Sequence, residues 1–109
     1  MWLEDTSGTE KAVILSAYYD TWAEITPGAS NCGSCVVTLL KTMRALEANP
    51  PLKNDVIFLF TDGEERVSAG AEGFVEDDPW AKDAGMILKF LLCVVLGAAC
   101  GAEAVGRTR

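Results

Sequence analysis

The chain has 109 residues, half of them hydrophobic and 23% charged, with nine basic residues against sixteen acidic ones and a net charge of -7. That length suits one small domain with one core, and the composition is too apolar for a disordered segment. Nucleic-acid binding and docking on an anionic membrane surface both need clustered cations, which the scattered Lys and Arg do not supply, and the absence of histidine excludes every His-dependent mechanism for this chain acting alone.

The first residues, Met1-Trp2-Leu3-Glu4-Asp5, are acidic and lack the basic stretch and apolar run of a signal peptide. Between Lys11 and Tyr19 the apolar, β-branched run Ala12-Val13-Ile14-Leu15 reads as a buried strand. A polar loop containing Pro27-Gly28 and Ser30-Asn31 then leads to a helix expected from about Ser34 to Ala48, with Val36, Leu39, Leu40, Met43 and Leu46 on one face. Asn49-Pro50-Pro51 must end it, because proline lacks an amide donor and restricts the residue before it.

Asp55 to Phe60 is a second continuous apolar run, of the kind buried on both faces of a parallel sheet, and it leads directly into Thr61-Asp62-Gly63-Glu64-Glu65. A short helix is expected over Ser68 to Val75, ended by Glu76-Asp77-Asp78 and Pro79, and a third strand over Gly85 to Leu92. Strand, helix, strand, helix, strand predicts an α/β fold, here a fragment of a mixed, mainly parallel sheet flanked by helices. Phe90 to Ala102 is thirteen residues without a charge. A spanning helix needs about 20 apolar residues, so this run reads as a buried strand or helix. Membrane association is expected only if a parent protein has spans missing here.

Parallel strands end on one edge of a sheet, and open α/β sheets bind ligands beyond that edge. Asp20 follows the first strand and Glu64 with Glu65 follows the second, so the order of elements puts three carboxylates there. From Thr61 to Asp78 there are seven acidic residues and one basic residue, Arg66, a balance that favours a cation. Turns are also acidic for conformational reasons, so the pattern alone leaves a functional cluster and ordinary turn chemistry both open.

The runs Lys11-Ala-Val-Ile-Leu-Ser-Ala-Tyr-Tyr-Asp20, Pro27-Gly-Ala-Ser-Asn-Cys-Gly-Ser34 and Leu52-Lys-Asn-Asp-Val-Ile-Phe-Leu-Phe-Thr-Asp-Gly-Glu-Glu65 resemble, in order and spacing, the co-catalytic two-zinc aminopeptidase family. That family includes bacterial aminopeptidases, glutamate carboxypeptidases and membrane metallopeptidases of the vacuole and endoplasmic reticulum. The resemblance divides the chain into a partial zinc-aminopeptidase-like domain over residues 8–91 and a divergent tail over 92–109, apolar and then polar. It implies a zinc cofactor, a peptide substrate and hydrolysis near a free N-terminus. In the reaction it implies, zinc lowers the pKa of a bound water, Glu64 takes the proton as general base, Glu65 binds a zinc ion, and Asp20 orients a neighbouring ligand.

Elsewhere the sequence departs from the family pattern. In the family's His-x-Asp the histidine position is Tyr18, a phenol with a pKa of about 10. Asn31 stands where a bridging aspartate is expected, and a neutral amide cannot offset two divalent cations. The carboxylate expected just after the third strand is Leu91, and there is no distant histidine. Of the family's ligands only Glu65 remains, so the isolated chain is expected to be inactive as a peptidase.

Cys32-Gly-Ser-Cys35 supplies a competing reading, a thiol redox motif at the start of a helix, or a non-catalytic binding domain that uses the same pair. Cys93 and Cys100 fit no common zinc spacing and read as small apolar side chains in a packed segment.

Overall fold

A computed structural model of the chain describes residues 2–3, 11–49, 53–92 and 101–106, with side chains for 11–49 and 53–90. Among the described residues five strands make one sheet: β1 (Trp2–Leu3), β2 (Ala12–Tyr18), β3 (Val56–Thr61), β4 (Ala84–Leu92) and β5 (Gly101–Gly106), in the order β1-β3-β2-β4-β5. The apolar runs read from the sequence are the three inner strands. β2 lies at the centre and pairs in parallel with β3 on one side and β4 on the other, while β1 and β5 close the two edges antiparallel. The sheet is therefore mixed and parallel at its core, as the alternation of elements predicts.

Parallel neighbours need a crossover, and here both crossovers are helical. Helix α1 (Ser34–Glu47) joins β2 to β3, and α2 (Ala69–Asp77) joins β3 to β4. On one face of the sheet Cys35 and Leu39 of α1 pack with Leu15, Ala17, Val56 and Phe58. The second core cluster joins Ala12, Ile14, Ile57 and Ala84 to Phe74 of α2. Side chains alternate between faces along a strand, so the Leu15 and Ile14 sets belong to opposite faces, each covered by its own helix.

The expected boundaries are met to within one or two residues. The α1 face differs at one position: Leu39 is fully buried and Val36, Met43 and Leu46 pack on the core, but Leu40 is 44% exposed and Cys35 takes the buried place one turn before Leu39. The reason is that Cys35, Leu39 and Met43 recur every four residues and form a narrower stripe than the expected five-residue face. Strands β1 and β5 are additions to the expected set. β1 has two residues, too few for any period to show, and β5 is Gly-Ala-Glu-Ala-Val-Gly, poor in β-formers.

Of the uncharged run from Phe90 to Ala102, the first residues continue β4 and the last two open β5. Cys93 and Cys100 lie outside the described residues. Among the described residues no helix is long and apolar enough to cross a membrane.

The start of α2 is held tightly against the end of β3. Gly70 N donates to Asp62 O at 3.1 Å, and a Cβ on Gly70 would run into the Asp62 backbone and lie 3.2 Å from Thr61 Cβ. Only glycine allows this approach, which fixes the acidic turn between strand and helix.

The burial contrast on α1 predicts that Leu39→Ala costs about 2–5 kcal/mol of stability, whereas Leu40→Ala costs less than about 1 kcal/mol. Urea denaturation of the two variants checks it, and equal losses would contradict the burial pattern.

Candidate functional site

At the carboxyl edge the β2–β3 pairing runs one step past the strands, with Tyr19 N donating to Thr61 O at 3.1 Å, and this brings Asp20 beside the turn that follows β3. Gly63 takes a left-handed conformation (φ 74°), and its amide donates to Asp62 Oδ1 at 2.7 Å. Glu64–Arg66 then make one tight helical turn. Asp20 spans it: Oδ1 accepts from Glu64 N and Oδ2 from Glu65 N, each at 3.2 Å. A carboxylate receiving two amides in this way is a strong, charge-assisted clamp. Val67 and Ser68 follow with φ of 81° and 56°, a costly conformation for a β-branched valine.

The three expected site residues therefore come together, and their side chains are engaged in different directions. Glu65 Oε1 accepts from Asn31 Nδ2 at 3.0 Å, and Asn31 Oδ1 in turn accepts from the Tyr18 hydroxyl. Residues 18, 31 and 65 thus form one hydrogen-bonded chain. Asn31 belongs to an irregular turn, Ala29–Gly33, that precedes α1, and a disulfide between Cys32 and Cys35 ties this turn to the first turn of the helix. Cys32 lies in that turn, outside the helix proper. Both cysteines are buried, at 1% and 0% exposure, so an attacking thiolate has no approach and the pair serves as a staple.

Glu64 turns the other way. Its Oε1 accepts from Ser68 Oγ at 3.0 Å and pairs with Lys89 Nζ at 2.5 Å, while Oε2 is buried with no hydrogen-bond partner among the described residues. Lys89 and Ser68 are site residues that reading the sequence missed. The available signal for Lys89 was its isolation, as the one charge in the strand segment Met86-Ile-Leu-Lys-Phe-Leu-Leu92. A cleft of about 710 Å³ opens beside this edge, and Asp20, Trp22, Glu24, Asp62, Glu65 and Arg66 contribute to its walls. Trp22 is 74% exposed there.

The donor set does not fit the zinc ion that the sequence resemblance implies. Zinc in proteins takes four nitrogen, sulfur or oxygen donors in a tetrahedron. Here both Asp20 oxygens are held by amides, Glu65 Oε1 by Asn31, and Glu64 Oε1 by an ammonium and a hydroxyl. Tyr18 is a neutral phenol: burial first, and then the negative charges of Glu65, Glu64 and Asp20, push its pKa above the usual 10.0. Among the described residues no group of three or more His, Cys, Asp or Glu side chains is placed to hold a metal.

Residues 1–98 match the family model for Peptidase family M28. The chain is 35% identical over 80 residues to endoplasmic reticulum metallopeptidase 1 of Mus musculus and, over the same length, to its counterpart of that name in Homo sapiens, covering 72% of this chain and 9% of each relative. It is 36% identical over 73 residues to the vacuolar membrane protease of Yarrowia lipolytica, covering 66% of this chain and 7% of that protein. The chain thus spans less than a tenth of the length of these relatives. No solved structure matches it.

The Tyr18 environment predicts a pH effect. A phenol whose pKa is raised on folding stabilises the fold fully below pH 10.0, and that contribution is lost as pH climbs through the folded-state value. Tyr18→Phe removes this component, so denaturation measured across the alkaline range should fall less steeply for the variant than for the parent. Superimposable alkaline limbs would show that neither burial nor these carboxylates raise the phenol's pKa.

Proposed function

The chain belongs to peptidase family M28, and we propose that it carries part of the core of a zinc-dependent exopeptidase whose hydrolytic centre is incomplete in this chain. The family relation supports a peptidase ancestry and a peptide substrate for the parent protein. By the resemblance in sequence, Glu64 holds the general-base position, Asp20 the orienting position and Glu65 a ligand position. Removal of residues from a free N-terminus is the specificity that the aminopeptidase-like motifs favour.

One observation carries the proposal. Tyr18, Asn31 and Glu65, three positions that the resemblance assigns to zinc binding, converge in space but bond to one another. Convergence supports the correspondence between these positions and the family's site. The chemistry of the side chains argues against activity, since a phenol and an amide contribute no anionic charge toward a divalent ion. Glu64 remains beside them as a carboxylate, but a general base accelerates hydrolysis only when a water is activated and oriented next to it.

Calorimetric zinc titration together with an aminoacyl-anilide assay on the full chain tests this reading. The expected result is zinc affinity weaker than micromolar and no zinc-dependent turnover, with affinity rising in the double variant Tyr18→His, Asn31→Asp. Micromolar zinc binding with turnover by the unaltered chain would overturn it.

A further inference from the structure

Among the described residues, Lys89 is the one cation that reaches the carboxylate edge from the sheet itself. Its strand, β4, is not the neighbour of β3: β2 lies between them, and Lys89 is in register with Ser16 of β2, which is in register with Leu59 of β3. To meet Glu64, whose amide is held by Asp20 just past the end of β2, the lysine must reach from β4 toward the end of that neighbouring strand. Adjacent strands lie about 4.8 Å apart, so a long flexible stem is required. Its register partner on β2 is the small, buried Ser16, and residues in register stand on the same face.

The ammonium ends 2.5 Å from Glu64 Oε1, with the lysine side chain 19% exposed and the glutamate side chain 15%. A carboxylate taken partly out of water gains from a counter-charge held in contact with it. We propose that the Lys89 ammonium is the resident cation of this edge, occupying by covalent attachment the role of a bound metal's positive charge and keeping divalent ions away from Glu64.

The proposal rests on the reading that this edge descends from a metal site, and it goes further by naming what replaced the metal. It accounts for the retention of Glu64 in a chain whose other positions no longer suit zinc: the carboxylate has become one half of an internal ion pair. It also accounts for Ser68, whose hydroxyl donates to the same oxygen, Oε1. Asp20 and Glu65 are satisfied by amide donors, so Glu64 is the member of the cluster that depends on a full positive charge.

Thermal melting of the full chain in chelator and in millimolar calcium or manganese tests it. Lys89→Met should melt about 5 °C or more below the parent in chelator and recover when the divalent ion is added, while the parent's midpoint stays put. The double variant Glu64→Gln, Lys89→Met should melt near the parent without any ion. Unchanged melting of Lys89→Met in chelator, or equal ion responses in variant and parent, would overturn the proposal.

Should Lys89→Met fail to fold, the double variant decides. Folding of the double variant supports a charge role, and failure of both overturns it, because Met keeps the apolar stem and Gln leaves no unpaired charge behind. These outcomes are separate from the zinc titration of the unaltered chain: tight zinc binding there would refute the inactive-site reading, whereas a cation-independent Lys89→Met refutes only the role given to the lysine.

Discussion

The clamp that Asp20 places on the Glu64 and Glu65 amides is the contact on which the site depends. It joins the residues just beyond two parallel strands, and it exists because β2 and β3 pair in register through Tyr18 and Thr61 and one hydrogen bond further. An aspartate suits the task because its short side chain keeps both oxygens close to the backbone, where each accepts one amide. With the turn held there, consecutive glutamates leave it in different directions, toward α1 and toward β4.

Those directions divide the chemistry into two halves. On the α1 side the chain from Tyr18 through Asn31 to Glu65 is a series of neutral donors ending on one carboxylate, an arrangement complete without any ion. The disulfide at the head of α1 holds the irregular turn that presents Asn31, so a staple formed by neighbours in sequence positions a contact to the far side of the edge. On the other side Glu64 meets a full charge from Lys89. A partly buried ion pair is weak evidence for stability, because desolvation offsets much of its attraction. Its consequence is arrangement: the first carboxylate of the Glu-Glu pair is committed to a partner within the fold.

The same sheet explains why some expectations were legible and others were not. The buried strands announced themselves as apolar runs rich in Val, Ile and Phe, and α1 by apolar residues three and four apart. Leu40 satisfied that period yet faces solvent, since the stripe that meets the sheet runs through Cys35, Leu39 and Met43. The edge strands β1 and β5 carried no local signal, because an edge is chosen by what remains unpaired in the sheet. Lys89 is a lone charge in an apolar strand, and only the tertiary structure brings Glu64 within its reach.

The sequence by itself determined the alternation of strands and helices, the acidic turn at the end of β3, and the presence of Asp20 at the end of its neighbour. Each follows from residues close together in the chain: apolar runs make strands, prolines and glycines end them, and parallel strands gather their ends. Only the tertiary structure decided what those end residues touch. Glu64 and Lys89 are 25 positions apart, and Asn31 and Glu65 are 34. Whether such pairs meet depends on strand order and register, which are settled by packing of the whole sheet against its two helices.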